Sequence, residues 1–466
     1  MRFEDSQRLY LAFNYDRPLR SEEARLYVDR TDSVRGEFTR QFRFPGTQKL
    51  LMLGAVGSGK STELYRLAEL HRRSAREPVV GVLPLTAHFD VNGMQPIEVL
   101  VTLGLAATQL APAGQEPPAA LIDAVEDAWT VLRGLPASAA KEERGSLRTV
   151  MKNVFVLVGH GAQALAGVVP LVPDAVVQAS AEVLAQVIPD RPLSVPPAPA
   201  NLTRNERRVT EVVQAVNDLV RWVRESRGAR PMTLFVDGLD KIFEPQRATD
   251  MFAGGILAQL ELPMVMAAPL VLRIDPTTVG GLGGFRTAFL GNFRVFDKHA
   301  DGGHDEIGFR SMRAIFVQRV RELGMEPAAV IAGGADPGGQ LDRLVEASGG
   351  LVRDFVMLCR IAVEHASDRE DEDPIHEDEV TAAIHELRQR YLQSLTTERL
   401  RILIATLQSQ LRQPGEQADR LLITNHVLGY GNGAPWYRPH ALLVPYLREI
   451  APRLAGPPAP TPSAED

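Results

Sequence analysis

Lys49-Leu-Leu-Met-Leu-Gly54-Ala-Val-Gly-Ser-Gly59-Lys60-Ser61-Thr62 joins a short apolar run to a glycine-rich loop and then to a lysine with two hydroxyl residues. The apolar part reads as a buried strand by its length and flanks. From Thr62 to Arg73 the sequence has helical periodicity, with Leu64, Leu67, Ala68 and His71 on one face. Between strand and helix, Gly54 to Ser61 satisfies G-x-x-x-x-G-K-[ST] in full. Glycines suit such a loop because its backbone N–H groups wrap around phosphate oxygens with no Cβ in the way. The following helix adds its N-terminal dipole. The expected nucleotide-binding residues are therefore Gly54, Ala55, Val56, Gly57, Ser58, Gly59, Lys60, Ser61 and Thr62. Lys60, expected to be exposed to phosphate, would reach the β- and γ-phosphates, Ser61 would ligate Mg²⁺, and Thr62 would bond the α-phosphate. ATP and Mg²⁺ are the expected cofactors.

A phosphate loop of this kind calls for a second strand ending in an acid. Pro231-Met-Thr-Leu-Phe-Val-Asp237-Gly238-Leu239-Asp240 supplies it, with Asp237 at the C-terminal end, where ligands of open α/β sheets collect. Asp237 is the expected metal-side carboxylate together with Ser61. The next position, where a water-activating acid is usual, is Gly238, so Asp240 is the expected replacement.

The rest of the chain bounds the fold. Its 466 residues correspond to about three domains at roughly 150 residues each. With 45% hydrophobic and 23% charged residues it is a globular rather than a disordered sequence. A net charge of -7 and a pI of 5.9 give no global basic coat for nucleic acid or anionic membrane. Cys359 is the single cysteine, which excludes an intrachain disulfide and fits a reducing cytoplasm; its apolar helix face makes it a core residue. Met1 to Tyr10 mixes charges and does not read as a signal peptide. The ten histidines have no metal-ligand spacing.

The expected organisation is an N-terminal region, 1–48; an α/β core of the phosphate-loop class with a parallel sheet, 49–300, carrying a helical and apolar insertion at about 94–200; a helical lid, 301–395; a winged-helix-like module, 396–451; and a proline-rich tail, 452–466. Further core strands are expected at Val79 to Phe89, at Met264 to Arg273 and, as the last, at Phe293 to Phe296. Core helices are expected at Pro96 to Leu110, Ala119 to Leu132, Thr203 to Arg227 and near Ala248 to Leu260. In the C-terminal module, Leu421 to Tyr430 and Trp436 to Arg438 read as a hairpin around Gly431-Asn-Gly433. Residues 153–173 carry no charge but are broken by glycine, proline and polar residues, so they read as a buried or partner-facing insertion rather than a membrane span.

The pair of motifs, G-x-x-G-x-G-K-S-T and h-h-h-h-D-G-L-D, resembles the STAND branch of AAA+-related ATPases, including its NACHT members. The chain also resembles bacterial ATPases of the origin-recognition type, through Gly57 to Leu64 and through Ser348-Gly349-Gly350-Leu351-Val352-Arg353. The resemblance covers about residues 15–450, leaving out 110–200. It implies a helical lid whose Arg353 senses the γ-phosphate, and a closing winged helix. Arg319 is expected either as an arginine finger or as a lid-to-core ion pair. Two departures stand out: Lys241 replaces an expected acid, and the strand from Met264 ends in apolar residues where a polar sensor is usual. Two functions follow from the resemblance. One is a molecular switch or assembly ATPase acting on a protein partner or separate effector, in signalling or host defence. The alternative is an ATP-dependent DNA-binding protein using the winged helix. Residues 396–450 hold six arginines against four acids, a weak basic face that favours the switch. Self-association is left open.

Overall fold

The computed structural model describes residues 3–30, 34–44, 46–87, 89–134, 198, 202–203, 206–228, 230–274, 282–298, 303–369, 373–430 and 435–454. The uncharged run 153–173, the Gly431–Gly433 tip and most of the tail therefore lie outside the described residues.

Five strands, β1 (Lys49–Gly54), β2 (Val79–Pro84), β3 (Met232–Asp237), β4 (Met264–Pro269) and β5 (Arg286–Phe289), form one all-parallel sheet in the order β2-β3-β4-β1-β5. Successive residues of a strand point to opposite faces, and both faces here are buried, which is why the strands read as unbroken apolar runs. Leu51, Leu53, Leu234, Val236, Met264 and Met266 enter one core. Leu50, Met52, Phe235, Val265 and Ala267 enter the core on the other face.

Helix Lys60–Arg72 covers the second face with Leu64, Leu67 and Ala68, and Phe38 from helix Arg35–Phe42 joins them. The first face is covered by helices Pro96–Ala107, Arg207–Ser226 and Pro245–Ala253. Helix Pro96–Ala107 is buried from Ile97 onward, so its beginning in the expected insertion belongs to the core. It lies so close to helix Arg207–Ser226 that a Cβ on Gly104 would stand 2.1 Å from Val216 Cγ1.

Several boundaries differ from expectation. β2 stops at Pro84 and β4 at Pro269, each followed by a short helical turn instead of more strand. The final strand is Arg286–Phe289, not Phe293 to Phe296; the latter is apolar because it packs against the helical region that follows. Leu421 to Ile423 end a helix, Glu416–Ile423, so the hairpin consists only of β6 (Val427–Tyr430) and β7 (Trp436–Pro439). Helix Val444–Leu454 runs through Pro452 into the expected tail.

Helices Glu306–Glu322, Gln340–Ser348, Val352–Ser367 and Glu377–Leu392 share one apolar cluster. The N-terminal helix Phe3–Ala12 belongs to this cluster through Leu9, and Phe13 stacks on Phe316 at 5.4 Å between ring centres. Within 1–48, the first helix packs on the helical region and Phe38 on the sheet. Helices Thr397–Ser409, Glu416–Ile423 and Val444–Leu454 close around Leu403, Leu421, Leu422, Leu443 and Leu447 beside the hairpin. Among the described residues no helix is long and apolar enough to cross a membrane.

Candidate nucleotide site at the sheet edge

The strand order separates β1 from β3 by β4, so Gly54 and Asp237 end two strand spacings apart, about 10 Å, on the same edge. The loop after β1 bridges that gap. Gly57 and Gly59 have φ of +86° and +94°, the left-handed region that side chains avoid, and Gly59 leads directly into helix Lys60–Arg72. Ser61 at the start of this helix donates from Oγ to Asp237 Oδ1 at 2.8 Å. Residues far apart in sequence are thus brought together as the reading of the motifs required.

Lys60 lines the cleft, and its side chain is 2% exposed. Nζ donates to Gly54 O at 2.9 Å and Ala55 O at 2.7 Å, and pairs with Asp240 Oδ2 at 2.9 Å. The ammonium therefore occupies a ring of oxygens next to the loop. Thr62 is also engaged, accepting at Oγ1 from Leu19 N–H at 3.2 Å.

The turn after β3 explains the glycine beside Asp237. Gly238 has φ +102°, and a Cβ there would meet Thr86 side-chain and backbone atoms at 2.9–3.0 Å. No acid fits at that position. The tight turn Leu239–Lys241 instead carries Asp240 round to Lys60. Burial, reinforced by the charge of Asp240, pushes the Asp237 carboxyl up to about 6; the Ser61 hydrogen bond offsets part of this.

Helix Val352–Ser367 meets the loop head-on. Arg353 N–H donates to Gly57 O at 3.1 Å, and a Cβ on Gly57 would lie 2.7 Å from Arg353 Cβ. Just before it, Gly349 and Gly350 take φ of +60° and +80°, and a Cβ on Gly350 would stand 1.9 Å from Phe293 O. Only this double glycine lets the chain turn into the helix against the core. The next residue, Asp354, accepts from Tyr391 OH at 2.6 Å and lies 3.1 Å from His440 Nε2. The C-terminal region reaches the loop as well: Asn425 Nδ2 donates to Val56 O at 2.9 Å, and Tyr430 OH to Gly349 O at 2.6 Å.

Gly57, Gly59, Lys60, Ser61, Asp237, Asp240 and Arg353 line one cleft of about 1120 Å³, its open mouth included, together with Val56, Thr62, Lys241, Ile315, Arg319, Val352 and Val356. Arg319 is 6% exposed and turned into the chain's own cleft; among the described residues it makes no ion pair. The expected lid-to-core ion pair is not formed among the described residues.

The roof of the cleft is a segment without a motif, Asn14 to Arg30. Tyr27 OH donates to the Glu63 carboxylate, and burial raises the Tyr27 phenol far above its usual range. Arg30 donates to Ser58 O at 2.6 Å and to Gly291 O, and its guanidinium lies 4.2 Å from the Phe293 ring centre. Asn425, Arg30 and Tyr27 escaped the sequence reading because each acts through backbone atoms or a single partner. The aromatic and arginine content of residues 10–30 was the only signal for Tyr27 and Arg30.

The donor set suits Mg²⁺ with a phosphate ligand. Ser61 and Asp237 offer hard oxygens, and no group of three or more His, Cys, Asp or Glu among the described residues could hold a metal alone, so the cation would draw further ligands from the nucleotide. Comparison of the chain with protein-family models and with curated proteins gives no match.

Proposed function

We propose that this chain is an ATP-binding and ATP-hydrolysing switch, similar in design to STAND and other AAA+-related ATPases, with 301–395 as its lid and 396–451 as a winged-helix-like module. The observation that carries it is the junction of Lys60, Ser61, Asp237 and Asp240 under the Gly57–Arg353 contact. A triphosphate offers Lys60 stronger acceptors than two carbonyls, so Lys60 turns to the phosphates and releases Asp240. Ser61 and Asp237 would hold Mg²⁺, which neutralises charge on the phosphates. Asp240, now free of its lysine, accepts the proton of the attacking water. Arg353, at the loop, meets the terminal phosphate, which is present in ATP and lost in ADP.

Coupling to a partner runs through contacts already made. Arg353 touches the loop while its neighbour Asp354 faces Tyr391 and His440, and Asn425 bonds Val56. A change in the phosphate loop therefore reaches both the lid and the C-terminal region within a few bonds. This supports a protein-directed switch over a DNA reader. Helix Glu416–Ile423, which precedes the hairpin, carries Glu416 and Asp419, and its end packs toward the core through Leu422 and Ile423.

The test is ATP turnover alongside hydrogen exchange of residues 349–356 and 425–430 with ATP and with ADP. The proposal requires turnover lost in Asp240→Asn and exchange that differs between the two nucleotides. Identical exchange in both states would remove the switch. Tight, salt-dependent binding of duplex DNA would restore the alternative.

A further inference from the structure

Arg319 is a buried charged group of the cleft that the phosphate chemistry does not use. It is buried to 6% exposure, and its Nε has no hydrogen-bond partner among the described residues. Its one hydrogen bond among the described residues, from Nη1 to Ile315 O at 3.0 Å, goes to a carbonyl of its own helix. A buried donor without an acceptor is costly, so the position calls for a ligand atom.

Its place along the cleft says which atom. Helix Val352–Ser367 begins at the phosphate loop, where Arg353 N–H meets Gly57 O, and runs away from it. Ile315, one turn before Arg319, belongs to the apolar cluster that holds Val356 and Cys359, three and six residues beyond that contact. At 1.5 Å per residue these stand ~5–9 Å beyond the loop contact. Tyr15 marks the same level, because the Arg360 guanidinium lies 5.3 Å from its ring centre. The helix that carries Arg319 is tied to the roof there by Arg25 to Glu322 at 2.5 Å. Beyond the loop the cleft is lined by Tyr15, Leu26, Val28, Ile315 and Val356, an apolar slot beside Arg319. Such a slot fits a flat ring that carries acceptors, and not a phosphate.

We infer that Arg319 contacts the base of the bound nucleotide, donating to a ring nitrogen of a purine, and is neither an arginine finger nor a sensor of the γ-phosphate. The inference rests on the phosphate-site reading above. A purine projects ring nitrogens further from the sugar than a pyrimidine does, so the slot favours ATP or GTP over CTP and UTP. No bond is made or broken at Arg319; its effect is on affinity.

The test compares ATP, CTP and inorganic tripolyphosphate as ligands of the full chain and of Arg319→Met and Arg319→Lys. The expected result is a loss of about tenfold to a hundredfold in ATP affinity in Arg319→Met, with tripolyphosphate affinity unchanged and the preference for ATP over CTP reduced. Arg319→Lys should fall between, and it keeps a buried cation should the methionine variant fail to fold. Nucleotide-free Arg319→Met should be no less stable than the parent, since it removes a buried unpartnered charge at similar volume. Equal losses for ATP and tripolyphosphate would make Arg319 a phosphate ligand. Unchanged ATP affinity, or a destabilised nucleotide-free variant with normal base preference, would make it structural. Either overturns the inference. A parent chain that binds tripolyphosphate without preferring ATP also overturns it while sparing the phosphate site; a parent that binds neither overturns both.

Discussion

Asp237→Asn should make the nucleotide-free protein more stable while removing its metal-dependent function. Asp237 is buried beside Asp240, and its carboxyl rises from 3.8 to about 6. A rise of that size corresponds to ~3 kcal/mol against the charged form. The sign follows from proton binding. Between about pH 4 and 6 the folded chain holds a proton there that the unfolded chain has released, so stability falls as pH rises through this window. Above about pH 6 the full penalty is present; below about pH 4 it is gone. Asparagine carries no charge at any pH, and its side-chain oxygen still accepts from Ser61 Oγ. The variant should therefore gain up to ~3 kcal/mol at pH 8, less at pH 5, and nothing near pH 4. Urea unfolding of parent and variant at these three pH values, with EDTA and without nucleotide, measures the difference. A variant less stable than the parent at pH 8, or a difference independent of pH, would refute the account of Asp237 as a carboxylate held at a cost for its ligand.

Four further outcomes follow from the same geometry. Metal-dependent ATP binding should weaken about tenfold between pH 7 and pH 5, as Asp237 protonates, measured by titration at fixed Mg²⁺. Lys60→Met should cost about 3 kcal/mol in urea unfolding, because it leaves Asp240 without its buried partner, and Lys60→Met with Asp240→Asn should recover most of that. Gly57→Ala should loosen the lid helix, seen as faster hydrogen exchange at 352–355, since the new Cβ would crowd Arg353 Cβ at 2.7 Å. Arg353→Ala should narrow the difference between ATP-bound and ADP-bound shapes in small-angle scattering more than it weakens binding; a full ATP-dependent change in the variant would place the sensor elsewhere.

The sequence was legible where one physical cause set the pattern. β1 and β3 are buried on both faces, and their ends are marked by Gly54 and Asp237. β5 was missed because it is an edge strand whose Arg286 and Thr287 are exposed, while the apolar Phe293 to Phe296 beyond it looked more like strand. Leu421-Leu-Ile423 passed for strand because three adjacent apolar residues have no period of their own; the helix appears only when Ala418 is read with Leu421 and Leu422. Within the site, the loop and its acids were visible as motifs. The burial of Lys60 was not, because it depends on Asp240 and on carbonyls of Gly54 and Ala55 that no local pattern encodes. Nor was the roof, whose residues meet the loop through contacts distant in sequence, such as Arg30 with Ser58 and Gly291.

The central claim is that the loop from Gly54 to Thr62 binds a nucleoside triphosphate with Mg²⁺. Calorimetric titration of ATP with Mg²⁺ into the full chain and into Lys60→Met tests it most directly. The account predicts saturable binding at one site per chain, reduced at least a hundredfold in the variant. No binding to the parent, or equal affinity in the two proteins, would contradict it.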